Sequence, residues 1–146
     1  MVTFALGKPV ISGRRAYVHS PLDVPHSWTA VADVARALVT VAADERGWGR
    51  AWLVPTQPAA DRGQLAGRLA DAAGAPSPKL TEITHLVLWA AGLFSPLIRE
   101  LRTTRYQFAR PFVLDASATT AAFRLTASPM DEVLRRVADR LRSETR

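Results

Sequence analysis

Side chains suited to chemistry gather in two places in this chain. One is His26 with Trp28; the other is the segment Arg105-Tyr106-Gln107-Phe108. The second sets a cation, an amide and two aromatics in one connector, and connectors carry a large share of binding residues. At position 26 an imidazole offers a hydrogen bond but lacks the planar fork with which arginine grips phosphate. His26 either meets a ligand or satisfies nearby backbone groups, Trp28 either lines a pocket or packs in a core, and Arg105 either binds or lies solvated beside packing aromatics. Catalytic constellations are missing. The three histidines, His19, His26 and His85, have no second ligand at helical spacing and the chain has no cysteine, so no metal site is expected. No Gly-x-Ser-x-Gly elbow supports a hydrolase. Dinucleotide folds need a glycine-rich turn that lets backbone N–H groups approach a pyrophosphate. The eight glycines, at 7, 13, 47, 49, 63, 67, 74 and 92, supply no trio with that spacing.

The elements that must position these residues can be read in order. Val2–Leu6 is apolar, Gly7-Lys8-Pro9 breaks it, and Val10-Ile11-Ser12 reads as a short strand. A second strand is expected within Ala16–His19, and a third at the alternating run Ser27–Val31. Asp33 stands where a helix should begin, with Val34, Leu38 and Val41 at helical spacing behind it. Arg50–Val54 reads as a buried strand, and Ala60–Ala73 as a helix with Leu65 and Leu69 on its stripe, closed by Gly74. Thr84–Leu93 and Pro96–Thr103 are helices, and Tyr106–Pro111 is a connector. Ser128-Pro129-Met130-Asp131 has the form of a helix start, with Met130, Val133, Leu134, Val137 and Leu141 as the apolar stripe that follows.

Composition bounds the class. With 146 residues, 48% hydrophobic and 22% charged, the chain reads as one globular domain. The absence of cysteine excludes a disulfide framework and suits a cytoplasmic location. The net charge is +6, and 17 of the 19 basic residues are arginine. They are spread along the chain with no long run of like charge, so nucleic acid is not an expected partner. The longest apolar stretch, Ile83–Ile98, falls short of the roughly 20 residues a bilayer span needs. No membrane partner is expected. His85–Phe94 has no polar face wide enough for a solvated helix and must be covered.

The stretch Pro25–Val41, with its Trp, Thr, Val, one spacer, Asp33-Val34-Ala35 and a further aliphatic helix, resembles the C-terminal half of the NAD(P)-dependent epimerase/dehydratase family, the extended short-chain dehydrogenase/reductases. The order of elements follows that family over nearly all of the chain; by the resemblance Lys79–Ile83 is a short strand, and Phe112–Asp115 is a last strand whose Asp115 caps a helix over Ala116–Ala122. The resemblance implies an α+β substrate-binding half: helices with a few short strands, without the Rossmann nucleotide-binding half. By it, Met1 falls inside the last turns of a helix. His26 takes the place of a family Arg that binds substrate pyrophosphate, which argues against a sugar-nucleotide substrate. Arg105, ten residues before Asp115, falls near another substrate-contacting Arg. The family's catalytic Tyr-x-x-x-Lys is absent: Tyr17 has Pro21 at the Lys place and Tyr106 has Arg110. The expected function is therefore the substrate-binding half of a truncated or split enzyme, not catalytic alone, with no catalytic residue and no cofactor in this chain although NAD(P) is implied for the parent family. Substrate-binding residues would be His26, Trp28, Arg105, Tyr106 and Gln107. The expected ligand is small and polar, and the expected partner a separate Rossmann-type chain or a second copy. The alternative is a free-standing ligand-binding or interaction module derived from that fold.

Overall fold

The computed structural model describes residues 2–144. The fold is α+β, with seven helices and one pair of short strands among those residues. Helix α1 (Val2–Ile11) runs into strand β1 (Arg15–Val18). Helices α2 (Val31–Ala42) and α3 (Arg62–Ala72) follow, then strand β2 (Lys79–Glu82), the helix pair α4 (His85–Gly92) and α5 (Pro96–Thr103), the short α6 (Ser117–Phe123) and the terminal α7 (Met130–Ser143). Two 3₁₀ turns, Glu45–Gly47 and Thr104–Phe108, lie between helices. No described helix is long and apolar enough to cross a membrane.

The core lies where α1, α3, α7 and β1 meet. Val10, Ala16 and Val18 are buried there with Ala66, Leu69, Ala70, Leu134 and Ala138. The alanines let α3 and α7 approach closely, and larger side chains fill the space beside them. Strand β1 alternates, with Ala16 and Val18 inward and Arg15 and Tyr17 outward. It pairs in parallel with β2, Arg15 opposite Lys79 through Val18 opposite Glu82. Two helices end in the same way. After α1, Gly13 takes φ +65°, with Gly13 N–H donating to Val10 O and Arg14 N–H to Pro9 O. After α3, Gly74 takes φ +57°, with Gly74 N–H to Asp71 O and Ala75 N–H to Ala70 O. Both are Schellman closures, which need a residue in the left-handed region.

Several expected elements are corrected. Gly7-Lys8-Pro9 does not end a segment: α1 passes through it, and Val10–Ser12 is the end of that helix and not a strand. Proline's fixed φ is helical, so it costs one backbone bond and a crowded turn, and the full burial of Val10 offsets that cost. Ser27–Val31 is not a strand. His26 makes single bridges to Ala60 and Phe112, and α2 begins at Val31. Asp33 therefore lies inside the first turn and Ala30 holds the cap position. Leu38 points outward, 66% exposed, while Ala37 is buried. Arg50–Val54 forms no strand. Trp52 is instead held by donation to Gly47 O at 2.8 Å and by an edge contact with Phe123 at 4.8 Å. The strand expected at Phe112–Asp115 reduces to the bridge at Phe112. Ser128 does not cap α7, since its hydroxyl is turned toward Asp33. The place of Met1 lies outside the described residues.

Candidate functional site

The described chain ends of β1 and β2 lie side by side, because the strands are parallel and in register at Val18 and Glu82. Ligands of parallel sheets bind beyond such carboxyl ends. Here the residues just past β1 are His19 and Ser20, and the ring at the centre of the cluster is Phe108, in the 3₁₀ turn that follows α5. Three polar side chains converge on that ring. His19 meets it edge-on at 5.8 Å, His26 lies tilted at 5.7 Å, and the Arg62 guanidinium sits over it at 4.5 Å.

Each group is positioned by backbone. His26 is buried, with Nδ1 2.9 Å from Val24 O and Nε2 3.3 Å from Gln107 O. Its main chain is paired on both sides: His26 and Ala60 exchange N–H and C=O bonds, Ser27 N–H donates to Phe112 O, and Phe112 N–H donates to Pro25 O. Arg62 opens α3. Asp61 caps that helix through a reciprocal bond pair with Gln64. The Arg62 side chain turns inward, 3% exposed, and donates to Ser20 Oγ and Pro21 O. No carboxylate among the described residues pairs with it. Burial opposes its charge and pulls its pKa down. Arg105 donates through Nε to His19 O at 3.1 Å and through a terminal N–H to Glu82 Oε1 at 2.7 Å.

His19 carries the clearest electrostatic signature. Burial, then the charges of Arg62 and Arg105, hold its pKa below the ordinary imidazole value. Its Nε2 is buried without a hydrogen-bond partner among the described residues. The cluster is thus net positive, with the guanidiniums of Arg62 and Arg105 against the Glu82 carboxylate and, of its two imidazoles, that of His19 held toward its neutral form.

Of the residues expected from sequence, the fold brings together His26, Arg105 and the main chain of Gln107. Tyr106 turns to solvent, 70% exposed, and the Gln107 side chain is also exposed. Trp28 packs beside His26 at 6.2 Å, donates to Ala60 O at 2.7 Å and lines a pocket. His19, Ser20 and Arg62 escaped sequence reading. Arg62 sits at a helix start where charged residues are ordinarily solvated, and His19 has no sequence neighbour that marks it. The proximity of His19 to a strand's carboxyl end was the one available signal.

Comparison with models of known families, with curated proteins and with solved structures finds no significant match.

Neither strand-to-helix junction fits a dinucleotide. β1 leaves through His19-Ser20-Pro21, and α2 begins only at Val31; β2 passes through Ile83-Thr84 straight into α4. Both lack the glycine turn that admits a pyrophosphate onto a helix N-terminus. Among the described residues no three His, Asp or Glu side chains group as metal ligands.

Asp33 is a separate, structural site. Its buried carboxylate accepts from Ser128 N–H at 2.9 Å, Ser128 Oγ–H at 2.6 Å and Arg36 at 2.8 Å, and Arg36 also donates to Thr126 O. It ties α2 to the segment entering α7.

Proposed function

We propose that this chain supplies the substrate-binding half of an NAD(P)-dependent epimerase/dehydratase-like enzyme and is not catalytic by itself. The nucleotide-binding half, on the same polypeptide or another, would bring the dinucleotide and the proton-transfer residues. The observation that carries this reading is the position of the polar cluster at the carboxyl ends of a parallel strand pair, at the foot of an uncovered apolar helix hairpin. α4 leaves from Glu82, the chain returns from α5 at Arg105, and the Arg105–Glu82 ion pair closes the base. Along the hairpin Leu86, Val87, Leu93, Phe94 and Leu97 are more than half exposed. A face of this kind marks a surface that another body covers. The partly exposed Arg105 would meet a small polar ligand, with the buried His26 fixed beside it and Arg62 and His19 favouring negative charge.

A free-standing binding module is the second reading, favoured by the α1–α3–α7 core packed within the chain. One measurement tests the first reading and a second separates the two. NADH and NADPH titrated into the purified chain should give no saturable signal; binding in the micromolar range sinks the half-enzyme reading. Light scattering at concentrations on the order of tens of micromolar, where modest interfaces form, should show an assembly. A clean monomer selects the free-standing module.

A further inference from the structure

A pocket of about 130 Å³, open to solvent on one side, lies between α1, α3 and α7 with Trp28 in its lining. Its walls are Leu6, Leu65, Leu69, Met130, Leu134 and Val137. An apolar cavity of roughly 150 Å³ is known to stay dry and take up a benzene-sized guest. The rim is polar and rigid: Trp28 is fixed on Ala60 O, and Asp33 on Ser128. Two rim groups are unspent. Gln57 donates through Nε2 to Ala127 O at 3.1 Å, and its carbonyl oxygen has no donor among the described residues. Thr29 carries a hydroxyl at the same opening, likewise without a partner among them.

We propose that this cavity is a binding site for a single-ring apolar molecule bearing one hydroxyl, of the size and chemistry of phenol. The ring displaces solvent from the apolar walls, and the hydroxyl donates to the Gln57 carbonyl oxygen. Because the rim is already held by hydrogen bonds within the chain, little order is lost on binding. The site shares no residue with His19, His26, Arg62 or Arg105, so it stands or falls apart from the substrate-half reading.

Phenol and benzene are the probes, followed by methyl NMR of the full chain. Phenol should move the Met130 methyl resonance saturably. Ala66→Leu and Val137→Leu project extra carbon into the space, and each should weaken binding about tenfold or more, the scale of one lost contact set. Gln57→Leu, a rim change that leaves the core intact, should weaken phenol about tenfold and leave benzene unchanged, as expected for one hydrogen bond. An unmoved Met130 methyl, or undiminished affinity in whichever filling variant folds, overturns the site. Equal phenol affinity in Gln57→Leu overturns the assignment of the hydroxyl.

Discussion

At the residue scale, Asp33 and His19 show how burial changes what a titratable group does. Asp33 was expected to cap a helix, a role worth about 1 kcal/mol. As a buried carboxylate holding Ser128 and Arg36 it does more. Asp33→Ala strands the Ser128 donors and should cost about 2–3 kcal/mol, the range for hydrogen bonds to a charged group. In a double-mutant cycle with Ser128→Ala the losses should be strongly non-additive, whereas a simple cap would give additive losses. His19 sets a pH dependence. Its folded pKa lies below the ordinary value of 6.5. Below about 6.5 the unfolded chain therefore takes up a proton that the folded chain resists, and stability falls as the solution is acidified through that range. Melting temperatures measured from pH 8 down to about pH 5 should decline, and His19→Phe should flatten that decline; an unchanged slope in the variant would place the titration elsewhere.

At the element scale, helix ends carry the local design. Gly74 closes α3 with φ +57°, and its Cβ direction is open space. Gly74→Ala should therefore cost about 1 kcal/mol through backbone strain alone, with no clash to relieve. Arg124 closes α6 with φ +53°, a conformation that L side chains rarely adopt. Arg124→Gly should stabilise by up to about 1 kcal/mol for the converse reason. Chemical denaturation of the two variants should move the midpoint in opposite directions. If both move the same way, factors other than backbone conformation govern these turns.

At the scale of the whole molecule, the balance between closed and open surfaces decides behaviour. The α1–α3–α7 core packs within the chain around one open pocket, whereas the α4–α5 hairpin presents Leu86, Leu93, Phe94 and Leu97 outward. Phe94 is 89% exposed, so removing it from this fold costs little packing. Phe94→Glu should shift light scattering toward monomer while the stability of the fold changes by less than about 0.5 kcal/mol. Persistence of the assembly in that variant would locate the interface away from the hairpin.

Periodicity along the chain by itself determined the long helices. The spacing of Leu69 in α3 and of Met130, Leu134 and Leu141 in α7 needs only a partner face to bury, and Gly74 announces its own turn because few other residues take that conformation. A strand near 16–19 was legible from Tyr17 and Val18 between breakers, whereas the one at 79–82, with only Thr81 β-branched, was expected from the order of elements in the family the chain resembles. Tertiary structure decided the rest. Pro9 could continue a helix only because Val10 finds a core behind it. Ser128 and Asp33 bond across 95 residues of sequence, so each surrendered its local capping role to the other. Arg62 and His19 became a cluster only when α3, the end of β1 and Phe108 converged. Local pattern specifies an element when its bonds close within a few residues. Where a polar side chain finds its partner across the fold, the outcome depends on packing that no local window contains.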